Sequence, residues 1–320
     1  MRLQRSLRTA LASFAGALFF MAGAEAGAPQ VKTQAPGYYR MMLGDFEITA
    51  LSDGILDLKP GELLTNTTKS EVTKYLQRAY ESAAVPTSVN AYLVNTGDKL
   101  VLIDTGAAKL FGPTLGNLLA NLAAAGYKPE QVDAVLITHM HGDHVGGLIA
   151  DGKIAFPNAT VHADQRDAAF WLDKAQLDKA PEAMKDFFRG AQMSLGPYVT
   201  AGRFKAFHGS SELFPGIRAI ATPGHTPGHS IYSVESKGQK LVLWGDLMHV
   251  AAVQFPKPGV TISFDIDSPA ASAQRRKAYA DAAKGRYLVA ASHLSFPGIG
   301  RLRAEDKGYV WVPLTYNSVR

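Results

Sequence analysis

The sequence contains no cysteine in its 320 residues. Disulfides and thiolate metal ligands are therefore excluded, and any transition metal must be held by histidine and carboxylate side chains. The pattern Gly-x-Ser-x-Gly is also missing. A serine nucleophile mounted on a strand-to-helix elbow is therefore not expected.

Long apolar runs are missing except for one near the N-terminus, at residues 10–21. Three arginines precede this run and small residues follow it, which predicts a secretory signal peptide over residues 1–26. The run is shorter than the ~20 residues that a spanning helix needs, so we expect no membrane span after cleavage. The predicted location is a bacterial periplasm, where a chain without cysteine avoids mispairing.

The charge imbalance is small. The full chain has a formal charge of +5, and removing three arginines and one glutamate with residues 1–26 lowers it to +3. This gives no reason to expect a nucleic-acid partner. The densest basic cluster, Arg275-Arg276-Lys277, falls in a helical pattern and predicts a solvated helix face. Residues 27–320 show no linker or repeat and predict one domain, with residues 27–38 as a surface arm.

The densest chemical feature is a cluster of three histidines and one aspartate directly after the apolar run 133–137. The run predicts a short buried strand. His139 and His141 alternate along the backbone, so both rings can point to one side. Asp143 and His144 are adjacent and point apart, which favours two metal ions over one. The alternative is a few satisfied histidines on a loop near a core strand.

Hydrophobic periodicity predicts strands separated by turns in both halves of the chain, with Ser52-Asp53-Gly54 ending the second strand. Helices are expected to close each half, which suggests two sheets packed face to face with helices outside. The predicted strands cover residues 39–43, 46–51, 88–95, 100–103, 133–137, 217–221, 230–235, 240–244 and 287–291, and the predicted helices cover residues 69–82, 115–125, 164–192 and 268–284.

Three further ligand-type residues each stand just beyond a predicted strand. They are His225 in Thr-Pro-Gly-His-Thr-Pro-Gly-His-Ser, Asp246 in Trp-Gly-Asp-Leu, and His293 in Ser-His-Leu. The order of these motifs resembles that of the metallo-β-lactamase-fold hydrolases, over essentially the whole chain after the signal peptide. The resemblance implies an α+β fold, a four-layer αββα sandwich, with a dinuclear metal site in the groove between the sheets.

The resemblance also implies two divalent metal ions per chain. Zinc suits imidazole and carboxylate ligands at a hydrolytic site best, and manganese, cobalt or iron stay open. Carried over by position, the implied ligands are His139, His141 and His225 for one metal, Asp143, His144 and His293 for the other, and Asp246 as a bridge between them.

Two such metals lower the pKa of a bridging water and supply a hydroxide nucleophile. The implied catalytic residues are Asp143 and Asp246, either of which would orient the hydroxide and shuttle its proton. Asp104, in Leu-Ile-Asp-Thr-Gly, is expected to accept the free N–H of a ligating imidazole. A surface turn aspartate is the alternative for Asp104, and Asp53 is a weaker candidate for the same role.

Within this superfamily the chain most resembles methyl parathion hydrolases and their lactone- and aryl-ester-cleaving relatives. This resemblance implies a pocket for an aromatic leaving group formed by Phe111, Trp171 and Phe187. Ordinary core packing is the alternative for each of these rings. The matching stretches are residues 37–46, 107–116, 250–255 and 290–300.

Several positions depart from the methyl parathion hydrolases. Gly142 stands in place of a proline, and Leu63 in place of a basic residue. His249, Ile262 and Phe264 stand in place of small or aliphatic residues. These positions surround the pocket, so we expect an intact hydrolytic centre with a changed substrate fit.

The predicted function is hydrolysis of lactones or aryl esters, including bicyclic aromatic lactones of the dihydrocoumarin type, with phosphotriester cleavage at most a side activity. One alternative is an organophosphate hydrolase, and another is a periplasmic protein that binds metal and an aromatic ligand without turnover. The expected partner is a small ester, lactone or phosphotriester. The arm at residues 27–38 and exposed aromatic residues allow a homodimer without requiring one.

Overall fold

The structure is a computed structural model that describes residues 28–319. The predicted signal peptide lies outside these residues. Residues 28–35 form a separate short unit without helix or strand, and the main unit begins at Pro36. Within residues 28–319, no helix combines the length and apolar character needed to cross a bilayer.

The main unit contains strands and helices in alternating groups. In chain order the strands are β1 Tyr38–Leu43, β2 Phe46–Leu58, β3 Leu64–Thr65, β4 Val85–Asn95, β5 Leu100–Ile103, β6 Ala134–Leu136, β7 Ile149–Ala150, β8 Lys153–Ile154, β9 Thr160–Asp164, β10 Phe204–Phe207, β11 Ser211–Phe214, β12 Ile217–Ala221, β13 Ser230–Ser236, β14 Gln239–Leu243, β15 Thr261–Ile262, β16 Leu288–Ala290, β17 Ile299–Glu305 and β18 Gly308–Pro313.

The helices flank these strands, and short 3₁₀ turns lie at Pro129–Gln131 and Gly146–Leu148. The α-helices are α1 Pro60–Leu63, α2 Lys69–Arg78, α3 Leu118–Ala124, α4 Gly142–Val145, α5 Gln165–Trp171, α6 Lys174–Lys179, α7 Glu182–Thr200, α8 Ala251–Gln254 and α9 Ser268–Gly285.

Two seven-stranded sheets form the centre of the unit, in the orders β1-β2-β4-β5-β6-β9-β10 and β11-β12-β13-β14-β16-β17-β18. Side chains alternate along each strand, so each sheet has one face for its partner sheet and one for helices. In β5, Val101 and Ile103 pack between the sheets, whereas Leu100 and Leu102 face α3 and α7. On the other side α9 packs on the second sheet through Tyr279. The predicted αββα sandwich is confirmed.

Three local predictions are wrong. Strand β2 does not end at Ser52-Asp53-Gly54 but continues to Leu58 through a bulge there, because Gly54 adopts φ +139. The predicted helix 164–192 is three helices, α5 to α7, with Asp173 capping α6 and Pro181 preceding α7. Arg275 does not lie on a solvated face, since its side chain is fully buried.

Candidate metal centre

The predicted ligands come from four loops at one edge of the sandwich. His139 and His141 follow β6, His225 lies between β12 and β13, Asp246 follows β14, and His293 follows β16. Strand pairs β5–β6 and β14–β16 are parallel, so their carboxyl ends meet at the same edge of each sheet. The fold therefore brings together residues up to 154 positions apart in the chain, from 139 to 293.

The turn before Asp246 needs a glycine. Gly245 adopts φ +52, and a Cβ there would lie 2.8 Å from the Thr138 Cβ and 3.0 Å from the His229 Nε2. Glycine thus lets this turn pack directly on the histidine loop. His229 Nε2 accepts a hydrogen bond from the Asp246 backbone N–H at 3.1 Å. His229 is therefore a structural support of the Asp246 turn.

Two four-residue clusters share Asp246. The first cluster consists of His139, His141, His225 and Asp246, and the second consists of Asp143, His144, Asp246 and His293. Within each cluster the potential ligand atoms lie within 4.8 Å of one another. The first cluster faces one oxygen of Asp246. Its Oδ2 lies 3.5 Å from His139 Nε2 and 3.3 Å from His225 Nε2, and His225 Nε2 lies 3.1 Å from His141 Nδ1.

The second cluster faces the other oxygen of the same carboxylate. Asp246 Oδ1 lies 3.2 Å from His144 Nε2 and 3.1 Å from His293 Nε2. Asp143 Oδ2 lies 3.6 Å and 3.4 Å from the same two nitrogens. Asp246 thus presents one oxygen to each cluster, which is the arrangement required of a bridging ligand.

The donor set fits divalent metal ions. His139 Nε2, His144 Nε2 and Asp246 Oδ1 are buried and make no hydrogen bond within residues 28–319. Leaving such groups unpaired is costly, by about 1–3 kcal/mol each. Imidazole nitrogens and carboxylate oxygens that converge without other partners are the ligands expected for zinc or a similar ion.

Burial and neighbouring charges shift the pKa values of these groups in opposite directions. Burial lowers the pKa of His139 and His141 well below the usual value, with neighbouring imidazoles acting in the same sense. Burial acts against protonation of His225 as well, but Asp246 and Asp265 outweigh it and raise its pKa to about 9. Burial favours protonation of Asp246, yet the surrounding imidazoles hold its pKa well below the usual value.

Outer hydrogen bonds set the tautomer of three ligand histidines. His144 Nδ1 lies 2.8 Å from Asp104 Oδ2, and His293 Nδ1 lies 3.0 Å from the Ser88 carbonyl oxygen. His225 Nδ1 lies 2.8 Å from Asp265 Oδ1. Each acceptor holds a proton on Nδ1, which leaves Nε2 free to bind a metal.

We expect Asp104→Asn to weaken metal binding by the second cluster about 10- to 100-fold, the usual cost of losing such a partner. Asp104 accepts from Thr138 N–H through Oδ1 at 2.8 Å and faces His144 through Oδ2. In the variant the amide NH₂ would face His144 Nδ1, which would move the imidazole proton to Nε2. Asparagine tolerates the left-handed conformation of Asp104, φ +58, so backbone strain is not the cause.

A competition titration with a chromophoric chelator measures the metal affinity, and Asp53→Asn is the comparison. Asp53 contacts no ligand histidine; it accepts from Ala107 N–H at 2.9 Å and Leu118 N–H at 3.1 Å and holds a loop. The structure therefore does not give Asp53 the role considered for it. Equal loss of affinity in both variants would contradict the role of Asp104.

Three rings, those of Phe187, Phe264 and His249, form a wall beside the first cluster, which we call the ring wall. Phe187 lies 4.8 Å from the His141 ring centroid and 6.3 Å from Phe264, and Phe264 lies 6.0 Å from His249. His249 also places Nε2 3.0 Å from Asp246 Oδ2. The structure thus brings these three predicted pocket residues together at the metal centre.

The other predicted pocket residues take different positions. Trp171 is fully buried behind His141, with ring centroids 5.2 Å apart, and Ile262 is fully buried in an apolar cluster that Leu63 borders. Phe111 is 45% exposed, and its ring fills the space above Gly142, where a Cβ would lie 3.0 Å from Phe111 Cε2. Because Trp171 and Ile262 are buried, they can affect the shape of a pocket only by packing against the residues that line it.

Sequence reasoning missed two buried carboxylates that support the ligand loops. Asp265 orients His225, as described above. Asp167 accepts hydrogen bonds from Met140 N–H at 3.0 Å, Thr226 Oγ1 at 2.9 Å and Gly228 N–H at 2.5 Å. It therefore joins the His139–His141 loop to the His225 loop. Neither residue belongs to a recognisable motif, so only their contacts reveal them.

Known proteins share this fold. A crystal structure of a hydrolase called AbOPH, in the beta-lactamase superfamily, is 41% identical, with a TM-score of 0.85, and the match covers 89% of this chain and 100% of that one. AidC, a dizinc quorum-quenching lactonase solved with its product, is 26% identical, with a TM-score of 0.82, over 88% of this chain and 99% of that one.

A curated relative is the N-acyl homoserine lactonase of Bacillus cereus, 28% identical over 171 residues. That match covers 48% of this chain and 60% of the relative's length. The family model of the metallo-beta-lactamase superfamily matches residues 84–293, a range that contains both clusters. The chain therefore belongs to the metallo-β-lactamase superfamily.

Proposed function

We propose that this protein is a dinuclear-metal hydrolase of lactones and aryl esters, with phosphotriester cleavage as a side activity at most. The observation that carries the proposal is the placement of one Asp246 oxygen against each cluster. The names of the lactonase relatives support lactone hydrolysis. We also propose zinc as the metal and the periplasm as the location, on the sequence features described above.

Asp143 and Asp246 have different roles in the proposed reaction. Bound divalent metal ions would polarise the scissile carbonyl group and make water a nucleophile at neutral pH. The Asp143 side chain is 15% exposed, whereas that of Asp246 is 3% exposed. Asp143 is therefore better placed to pass a proton between the centre and solvent, while Asp246 fixes the separation of the clusters.

The ring wall supports the aromatic part of the substrate class. Phe187, Phe264 and His249 lie at centroid spacings of 6.0 to 6.3 Å, within the range in which aromatic rings attract one another. A planar aryl ester or fused aromatic lactone could stack on Phe187 with its carbonyl group towards the His141 side. Ring stacking would favour aryl substrates over aliphatic ones.

A substrate comparison tests this function. We expect kcat/KM to be at least about 10-fold higher for dihydrocoumarin or an N-acyl homoserine lactone than for methyl parathion, because the proposed centre discriminates by transition-state fit to a carboxylic ester. All three are to be measured on one preparation with defined metals. A preference for methyl parathion would contradict the proposal, and two bound metals without hydrolysis of any ester would favour the non-catalytic binder.

A matched pair of variants tests the ring wall. Phe187→Leu should raise KM for dihydrocoumarin more than for an aliphatic lactone, because it removes the stacking surface. Phe170→Leu is the control, since Phe170 packs on Trp171 and Phe188 away from the ligand atoms. Equal effects of the two changes on both substrates would contradict a stacking role for Phe187.

A further inference from the structure

The buried guanidinium of Arg275 contacts two loops that adjoin the first cluster. Arg275 and Arg276 are neighbours on α9, yet Arg275 is fully buried and Arg276 is exposed. Taking a charge out of water is expensive unless the charge is paired and hydrogen-bonded. Ala278 and Tyr279, one turn along α9, belong to an apolar core cluster, so a buried arginine at this position needs polar partners elsewhere.

The guanidinium contacts two loops of the centre. Its Nε donates to the Leu247 carbonyl oxygen, and its Nη1 donates to the carbonyl oxygens of Val260 at 2.5 Å and Pro258 at 3.3 Å. Its Nη2 lies 4.0 Å from Asp265 Oδ2. One rigid fork therefore spans the turn after Asp246 and the loop at residues 258–265.

Each of these two loops adjoins one residue of the first cluster. Leu247 follows Asp246, and Asp265 faces His225 Nδ1 at 2.8 Å. His225 Nε2 and Asp246 Oδ2 in turn lie 3.3 Å apart. A closed circuit of contacts thus runs from Arg275 through an ionic contact of 4.0 Å to Asp265, then through His225 to Asp246, and back through the hydrogen bond to Leu247. Arg275 Nη2 makes no hydrogen bond within residues 28–319, so its link to Asp265 is ionic only.

We propose that Arg275 is a positioning residue of the metal centre, which holds the Asp246 turn and the Asp265 loop so that Asp246 and His225 face the same metal ion. The inference rests on the metal centre of the proposed function. The inference concerns the affinity for the metal ion and the geometry of its ligands, not the choice of substrate. Arg275 contacts no ligand atom directly and acts through Leu247 and Asp265.

Two neighbouring arginines on one helix provide a matched test. In the full chain, Arg275→Met should weaken zinc binding at the first cluster about 10-fold, the lower end of the range for a residue bonded directly to a ligand, because Arg275 acts one contact further out. Methionine fills irregular core space, so the loss of volume is limited. Arg276→Met removes the same charge from an exposed position and should leave affinity unchanged. Chelator competition measures affinity, and the visible spectrum of the cobalt-loaded protein reports the ligand geometry.

A second variant keeps the test decisive if Arg275→Met does not fold. Asp265→Asn cuts the same circuit with little change in shape and should also weaken zinc binding and alter the cobalt spectrum. Where both variants fold, the losses should be less than additive in the double variant, because both act through one circuit.

Several results would overturn the inference. These are wild-type affinity and spectrum in a folded Arg275→Met or Asp265→Asn variant, additive losses in the double variant, or an equal loss in Arg276→Met. A wild-type protein that binds two metals but hydrolyses no ester would refute the proposed function. The measured zinc affinities of the variants would still test the role of Arg275 in that case.

Discussion

Asp246→Asn is expected to reduce kcat/KM for the best ester substrate about 10³-fold, since several kcal/mol of Lewis-acid stabilisation are lost. The amide carries no charge, and one of its two positions is an NH₂ group whose hydrogens point at imidazole lone pairs. At least one cluster would therefore lose its metal. The Asp246 carboxylate lies 3.0 to 3.5 Å from the Nε2 atoms of His139, His144, His225, His249 and His293.

Metal analysis and steady-state kinetics on the same sample check this expectation. Asp164→Asn is the matched control, because Asp164 is equally buried but caps α5 and binds Arg166 and Gly209. It should cost stability and leave metal content at the wild-type level. Two tightly bound metals in an active Asp246→Asn variant would show that the carboxylate does not bridge.

The sequence predicts those parts of the site that are local or that lie at strand ends. His139, His141, Asp143 and His144 are contiguous, so their spacing alone places them on one loop. His225 and His293 lie far from this cluster in the sequence, and their position just after a predicted strand, together with the order of the motifs, makes them candidates. The structure brings all of them within ligand distance of Asp246 or its neighbours.

The supporting residues could not be predicted in the same way. Arg275 lies in a basic run that is typical of an exposed helix face, and its burial depends on carbonyl groups of Leu247 and Val260 that no local pattern reveals. Asp265 stands in a loop without a motif and is 40 positions from His225. Contacts of this kind depend on how loops meet, not on periodicity.

Strand prediction failed for a related reason. The sequence pattern does not indicate the hairpin of β17 and β18, because its exposed positions carry charged residues such as Arg301 and Arg303 and its apolar face is short. Pairing with β16 through Val289 and Ala290 holds it in the second sheet. Tertiary pairing outweighs the weak local signal at this sheet edge.

Metal removal is expected to abolish hydrolysis and to lower Tm by about 10 °C. Each site that is filled at 100 times its Kd adds about 2.7 kcal/mol, and 1 kcal/mol shifts the Tm of a large domain by about 2 °C. In the chelated protein the buried Nε2 atoms of His139 and His144 and the Oδ1 of Asp246 have no hydrogen-bond partner within residues 28–319, and this penalty is one part of the binding free energy already counted. Scanning calorimetry and ester hydrolysis measure both effects.

Zinc titration of the chelated protein then separates a dinuclear centre from a mononuclear one. Because each Asp246 oxygen faces a different cluster, Tm and activity should rise until two equivalents of zinc are bound. Saturation of both curves at one equivalent, or full hydrolysis by the chelated protein, would contradict a dinuclear centre. In the Asp246→Asn variant the rise in Tm should be smaller and should end before two equivalents, because its amide cannot serve both clusters.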